Sequence, residues 1–374
     1  MPMTLFIGLM SGTSLDGVDG VLVDLGEPGA SRLAVKAHRH RAFDAALRGE
    51  LLALNSAGPN ELHRAALAAN ALARSHAAVT QDLLAATGLS AGQVRAVGAH
   101  GQTVRHQPGA FDGTGYTLQL FNGALLAELV GIDVVCDLRS RDIAAGGQGA
   151  PLVPAFHAAV FGRAGQDVAV LNIGGIANLS LLAADGQVRG FDCGPGNALL
   201  DHWCQGHTGA AFDDQGRWGA TGRVDEALLQ RLLAEPFFDR VPPKSTGRDL
   251  FNPVWLQARL ADHGRAEPAD VMATLVELSA RSAADALRRH QPTSTELLVC
   301  GGGAFNTLLM QRLAMRLPGT LVRDTTQAGL PPLQVEATAF AWLAQAFVQR
   351  QPGNRPEVTG ATGPRVLGAL YPAG

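Results

Sequence analysis

Lysine is nearly missing from this chain. Only Lys36 and Lys244 occur in 374 residues, and arginine supplies the rest of the basic charge. Together with the many Ala and Gly, that bias reflects the coding genome rather than function, yet it makes Lys244 easy to notice. Cysteine is also sparse: Cys136, Cys193, Cys204 and Cys300 show no C-x-x-C spacing. Reduced, partly buried thiols in a cytoplasmic protein are therefore expected. The chain does not open with a charged segment followed by an apolar one, and no run of 18 apolar residues occurs, so a soluble protein is expected rather than a secreted or membrane one. Two common phosphate-binding loops are missing, G-x-x-x-x-G-K-[ST] and a strand-linked G-x-G-x-x-G, so any nucleotide is bound by another design. H-x-x-x-H and H-E-x-x-H are missing too, which argues against a catalytic zinc. A net charge of −3 gives no general attraction to nucleic acid or an anionic membrane.

What remains is a globular composition, 47% hydrophobic and 17% charged, in a chain long enough for two domains. Apolar strand-like segments at Leu5–Met10, Val18–Leu25, Val94–Ala99, Ile132–Cys136, Val168–Ile173 and Leu297–Cys300 alternate with helix-like ones. Glu61–Thr87 and Met272–His290 carry apolar residues at helical spacing, so an α/β protein is expected. No low-complexity linker intervenes, and the first plausible boundary follows "AAGGQGAPLVP" (Ala144–Pro154). We therefore expect an N-terminal domain of residues 1–155, completed by 350–374, and a second domain of residues 156–349.

Three glycine-rich strand ends stand out. In "FIGLMSGTSLDGVDGVLVDL" (Phe6–Leu25), two apolar flanks enclose Ser11, Gly12, Thr13, Ser14, Asp16, Gly17 and Asp19. A plain hairpin needs only a residue or two that tolerate positive φ. Exposed backbone amides in such a turn cradle anions, Thr13 and Ser14 add donors, and Asp16 or Asp19 offers oxygen to Mg²⁺. A capped hairpin is the plainer reading. "VAVLNIGGIANLSLLAADGQVRGFDCGPG" (Val168–Gly196) repeats the design without aligning residue for residue, with Gly174 and Gly175 in its turn. "CGGGAF" (Cys300–Phe305) places Gly301, Gly302 and Gly303 where backbone can lie against an adenine or ribose, or simply make a tight strand-to-helix turn.

Other polar groups gather at strand ends. Asp192 ends a strand before Gly194, Pro195 and Gly196, placed to accept a proton, while Asn197 can cap the following helix itself. "GAHGQTVRHQP" and "DLRSRDIAAGGQGAPLVPAFH" concentrate His100, His106, Arg139, Arg141, Asp142, Gln148 and His157. Arginines bordering glycine-rich loops suit a polar, anionic small molecule, because guanidinium pairs bidentately with carboxylate. "VPPKSTGRDLFN" (Val241–Asn252) carries Lys244, Ser245, Thr246 and Arg248, either a loop over a nucleotide or a contact between domains or subunits. Glu336 heads an apolar helix in "VEATAFAWLA", where the helix dipole alone would favour it.

Eight of these segments, in order, resemble the anhydro-N-acetylmuramic acid kinases: "GLMSGTSLDGVD", "GAHGQT", "DLRSRDIAAGGQGAPLVPAFH", "LNIGGIAN", "FDCGPGN", "PPKSTGRDLFN", "CGGGAFN" and "VEATAFAWLA". The resemblance implies an actin/hexokinase-like (ribonuclease H-like) α/β fold with two domains about an ATP cleft. It implies a cytoplasmic, homodimeric, Mg·ATP-dependent enzyme of peptidoglycan recycling. That enzyme converts 1,6-anhydro-N-acetylmuramic acid and water to N-acetylmuramic acid 6-phosphate. Matched to the family, residues Gly12, Thr13, Ser14, Leu15, Asp16, Gly17, Val18 and Asp19, with Gly174, Gly175, Asn178 and Gly301–Gly303, are expected at ATP. His100, Thr103, Arg139, Arg141, Gln148 and Glu336 are expected at the sugar, Asp192 as base, and Glu336 in positioning or assisting the water. In "LQLFNG", Phe121 stands where the family has a small residue, usually Gly. Three rival readings are an ordinary sugar kinase acting on a free hydroxyl, an actin-like ATP-binding protein without catalysis, and a glycosidase without ATP.

Overall fold

The computed structural model describes residues 4–26, 33–247, 250–261 and 266–374. They form two compact units, Met1–Phe156 with Gln334–Gly374, and His157–Leu333. The first unit holds strands β1 (Leu5–Met10), β2 (Gly17–Asp24), β3 (Ala34–Ala42) and β4 (Ala96–Ala99). A hairpin of β5 (Gln102–Pro108) and β6 (Gly115–Leu120) follows, then β7 (Val134–Cys136). The second unit holds β8 (Val168–Ile173), β9 (Ile176–Leu182), β10 (Val188–Pro195), β11 (Glu296–Cys300) and β12 (Leu321–Asp324). The chain then returns to the first unit and ends on β13 (Ala369–Tyr371).

The sheets run β13-β7-β4-β1-β2-β3 and β10-β9-β8-β11-β12. Each begins with a three-strand antiparallel meander, β1-β2-β3 or β8-β9-β10. Each then adds two parallel strands beside the first one, β4 and β7 or β11 and β12. The strand order of the ribonuclease H-like fold is thus built twice, and the likeness between the two glycine-rich hairpins is one of topology.

Alternation along β1 sorts its side chains to two cores, as the two-residue period of a strand requires. Ile7 and Leu9 pack with Leu72, Val79 and Leu83 of the helix Glu61–Thr87. Phe6 packs with Phe340, Ala341 and Ala344 of the helix Val335–Val348. Gly8 and Gly98 are register partners across β1 and β4. A Cβ at Gly8 would lie 1.8 Å from the Ala337 carbonyl oxygen, and one at Gly98 would lie 2.0 Å from that of Phe340. These two glycines seat the helix directly on the sheet and so locate Glu336 at its start. The return to the first unit therefore comes at residue 334 rather than 350, because this helix covers the β1/β4 face. Its small, apolar composition does not say which sheet it covers.

Of the expected segments, the strands Leu5–Met10 and Val168–Ile173 and the helix Glu61–Thr87 match in full, and the other expected strands are present with shifted ends. Strand β3 was not expected: "AVKAHRHRA" is a basic edge strand, exposed along much of its length, with no apolar alternation to reveal it. In the second unit the helix Pro268–His290 buries Met272, Leu275, Val276 and Leu278 against Leu171 and Ile173 of β8. All four cysteines are free and buried. Among the described residues no helix is long and apolar enough to cross a membrane.

Candidate active site

The opening turn connects β1 to β2 and is closed by the Leu15 amide, which donates to the Gly12 carbonyl at 3.2 Å. Leu15 takes φ +57, a conformation that costs a branched side chain energy and is held here by burying that side chain. The Ser14 hydroxyl donates to Asp16 Oδ1 at 2.7 Å, while Thr13 and Asp16 stand exposed. The two glycines differ. The nearest atom to a Cβ at Gly12 would be Ser14 Oγ at 3.5 Å, so that side is open. At Gly17 a Cβ would meet the Arg41 carbonyl oxygen at 2.3 Å, so this glycine is demanded by β3. Asp19 is occupied: its Oδ1 lies 3.1 Å from His38 Nε2 and 3.2 Å from His40 Nδ1.

Beyond the turn, "GAHGQT" grips it from the end of β4. The Ser11 hydroxyl donates to the Gly101 carbonyl at 2.8 Å, and Gln102 Nε2 donates to the Gly12 carbonyl at 3.0 Å. His100, 5% exposed, lies with Nδ1 3.1 Å from the Ser11 carbonyl oxygen. Its Nε2 faces Arg139, 3.2 Å from Nε and 2.9 Å from Nη2. Arg139 Nη1 donates to the Gly149 carbonyl at 2.8 Å. Burial pulls Arg139 down to about 10, opposed by the carboxylates of Glu336 and Asp142, so the guanidinium stays charged at neutral pH. The same burial, with Arg139 beside them, pushes His100 down to about 3 and His106 down to about 4. Both imidazoles are neutral.

Asp142, wholly buried, ties this wall to the chain's end. It accepts from the Gly149 amide (2.7 Å), Asn354 Nδ2 (2.6 Å) and the Thr359 hydroxyl (2.8 Å). Gln148 is exposed and its amide donates to the Thr359 carbonyl at 2.7 Å. The Thr103 hydroxyl accepts from Gln119 Nε2 at 3.1 Å, and Arg141 is exposed. Phe121 packs edge-on to the buried His76, centroids 4.9 Å apart, as part of the core beneath this wall.

In the second unit the β8–β9 turn is anchored by its carbonyls. The Gly174 oxygen accepts from the Asn197 amide (2.7 Å), and the Gly175 oxygen from the amides of Gly196 (3.0 Å) and Ala198 (3.1 Å). Nothing lies nearer than 3.8 Å to a Cβ built at Gly174. Of the three glycines after β11, Gly301 and Gly303 are packed against Ile173, where a Cβ would fall at 2.7 Å and 2.4 Å. Gly302 is the open one, 3.4 Å from Asn197 Nδ2. The register aligns Cys300, Asn172, Asn178 and Asp192 as successive partners across β11, β8, β9 and β10. A bulge between Asp192 and Gly194 ends that row.

Asp192 is held by the segment carrying the second lysine. Its amide donates to the Lys244 carbonyl at 3.1 Å, and its Oδ2 accepts from the Thr246 amide at 2.8 Å. Burial pushes the carboxyl up to about 6, and the Thr246 amide and the Lys244 charge restrain that rise. Lys244 Nζ donates to the carbonyls of Phe237 and Phe238 at 3.2 Å each and sits 4.7 Å from the Phe237 ring centroid. The Thr246 hydroxyl is buried with no hydrogen-bond partner among the described residues. Arg248 lies outside the described residues.

The expected residues therefore assemble into two groups. His100, Arg139 and Glu336 meet in the first unit; Asp192 and Asn178 meet in the second, beside Gly174. Gln102 was not picked out, and Asp142 and Thr246 were named within their segments without being assigned a role. Gln102 and Thr246 had a signal, each sitting within a motif; Asp142 acts through Asn354 and Thr359, too far along the chain to be seen.

The sequence profile described as "AnmK: Anhydro-N-acetylmuramic acid kinase" matches residues 4–373. The chain belongs to the anhydro-N-acetylmuramic acid kinase family. The anhydro-N-acetylmuramic acid kinase of Variovorax paradoxus (strain S110) is 63% identical over 99% of both chains. That of Bordetella petrii is 59% identical over all of this chain and 97% of its own. Among solved structures, the activator of the 2-hydroxyisocaproyl-CoA dehydratase from Clostridium difficile with bound ADPNP is 12% identical. It covers 92% of this chain and 96% of its own, with a TM-score of 0.49. This enzyme is accordingly a phosphotransferase with an alcohol acceptor, an ATP-dependent anhydro-N-acetylmuramic acid kinase. The three rival readings are not favoured.

Proposed function

We propose that Asp192 is the base that couples hydrolysis of the anhydro bridge to phosphoryl transfer. The observation that carries this is its seating: one oxygen fixed by the Thr246 amide, in a site that raises the carboxyl to about 6. Such a group is ionised at neutral pH yet basic enough to take a proton. Opening a 1,6-anhydro sugar requires attack at C1 and departure of O6. An inverting glycosidase protonates the leaving oxygen with a second carboxylic acid. Here the γ-phosphorus takes the place of that proton. Water gives its proton to Asp192 as its oxygen bonds to C1; the C1–O6 bond breaks, O6 bonds to the γ-phosphorus, and ADP leaves. The buried Thr246 hydroxyl is available to orient the water.

The phosphates take the amides of the opening turn, Gly12 to Asp19, and of Gly174 and Gly175 beside Asn178, with adenosine against Gly301–Gly303. The open sides at Gly12, Gly174 and Gly302 support that reading; Gly17, Gly301 and Gly303 serve it through packing. Among the described residues no three His, Cys, Asp or Glu side chains gather to hold a metal. Mg²⁺ needs no such cage, because it keeps its waters and binds phosphates with one or two carboxylates. The exposed Asp16 fits it, whereas Asp19, engaged by two imidazoles, does not. Bound there, the ion would neutralise phosphate charge. Arg139, steadied by Glu336, pairs with the sugar's lactyl carboxylate, with Thr103, Arg141 and Gln148 around it. On family likeness the enzyme works in the cytoplasm, as a homodimer, in peptidoglycan recycling; light scattering would read its mass.

Mass spectrometry of the product formed with Mg·ATP in ¹⁸O-water tests the coupling. Label at C1 of the phosphorylated sugar, taken before anomers exchange, is expected. An unlabelled phosphate ester would overturn it.

A further inference from the structure

The bonds around His100 determine its proton. A guanidinium has N–H donors and no acceptor. Two nitrogens of Arg139 converge on His100 Nε2, at 3.2 Å and 2.9 Å, so Nε2 presents its lone pair. The one ring proton therefore sits on Nδ1 and is donated to the Ser11 carbonyl at 3.1 Å. The imidazole cannot turn without losing both bonds: it is buried, its ring lies 4.8 Å from that of Phe340, and its own amide is held by the Leu9 carbonyl at 3.0 Å. A charged His100 is excluded by the same geometry, since it would point a proton at Arg139.

This places a rigid, polarisable bridge between two features of the first unit. At one end is Arg139, the group suited to a carboxylate. At the other is the Ser11 carbonyl, one peptide before Gly12, whose own carbonyl is clamped by Gln102 and closes the turn through Leu15. An anion pairing with Arg139 draws on the guanidinium, weakens its donation to Nε2, and changes the hold of Nδ1–H on Ser11. We propose that His100 is a positioning residue that links the sugar-carboxylate site to the phosphate-binding turn, so that anhydro sugar and nucleotide bind with positive coupling. The inference rests on the reading of Arg139 and the turn given above. It also reassigns His100, expected at the substrate, to acting through Arg139.

Calorimetric titration of the full chain tests it, with the β,γ-imido analogue of ATP and Mg²⁺ as nucleotide. The quantity read is the ratio of nucleotide Kd without and with saturating 1,6-anhydro-N-acetylmuramic acid. A general loss of affinity from a structural defect cancels in that ratio. Wild type is expected to show coupling of about 5-fold or more, within the usual allosteric range. 1,6-Anhydro-N-acetylglucosamine, which lacks the lactyl carboxylate, is expected to show none. His100→Gln keeps an acceptor for Arg139 and loses the donor to Ser11; His100→Asn does the reverse. Both are expected to bring the ratio near one, and having two variants guards against misfolding of either. A wild-type ratio of one, or coupling retained in both variants, would overturn the relay. Arg139→Ala separates the premise: sugar affinity unchanged in that variant would overturn the reading of the sugar site, whereas weakened sugar binding with His100-independent coupling would overturn only the relay.

Discussion

The two units share a strand order and handle charge in opposite ways. The first surrounds a fully charged guanidinium with imidazoles that burial keeps neutral, and lets two carboxylates, Glu336 and Asp142, steady it. The second sets one carboxylate, Asp192, at the end of a polar row and moderates it with one amide and one lysine. On the proposed roles, the first arrangement would recognise an anion without changing protonation, and the second would hold a group poised to change it. A strand order used twice is thus divided, on that proposal, into a recognition task and a proton-transfer task, set by a handful of side chains.

The largest expected break falls on the second unit. Asp192→Asn should lower kcat by about 10²–10⁴-fold, the range for a general base, in a steady-state assay with Mg·ATP. The same change should stabilise the fold at neutral pH by about 1–3 kcal/mol in denaturant unfolding, because it removes a charge from a carboxyl that burial pushes up to about 6.

Acid should separate the units next. His76 and His106 are lowered to about 4 and His100 to about 3, each from 6.5. In that window the unfolded chain binds more protons, so their contribution is complete above pH 6.5 and lost as pH falls toward the folded values. The loss is on the order of 2 kcal/mol by about pH 5 for each of the buried His76 and His100, and smaller for the solvent-exposed His106. His157 acts likewise in the second unit. Asp192 works against it there, its raised pKa costing stability as pH rises from 3.8 through about 6. Hydrogen exchange resolved along the chain should therefore show protection falling faster in the first unit on acidification; equal loss in both would erase the contrast.

Arg139→Ala should raise the sugar KM by about 10–100-fold, the cost of about 1.5–3 kcal/mol for a charged hydrogen bond, with a smaller effect on KM for ATP. The glycines give a finer test. Gly17→Ala or Gly303→Ala should cost about 1–3 kcal/mol in thermal unfolding, since each Cβ would overlap packed atoms. Gly12→Ala or Gly174→Ala should leave stability within about 0.5 kcal/mol while raising KM for ATP.

Much of this was legible in the residues. The glycine turns, Asp192 at a strand end and the arginine-bearing loop announced themselves because each is a local departure from a plain apolar strand. The edge strand β3 did not, because its side chains are basic and solvated. The membership of Val335–Val348 in the first unit was also hidden. It follows from Gly8 and Gly98 facing one another across β1 and β4, and that pairing exists only once the sheet has formed. The same holds for Asp142, whose partners Asn354 and Thr359 come from the far end of the chain. Phe121, expected to depart from the resembled family's pattern, is a core contact for His76.

The central claim is that Asp192 is the base and that its surroundings set its strength. The most direct test is the pH dependence of kcat/KM for the anhydro sugar, in wild type and in Lys244→Met. The account predicts an acid limb near pH 6 that moves upward when the lysine charge is removed. A limb near the ordinary carboxylate value, or one that stays in place in the variant, would contradict it.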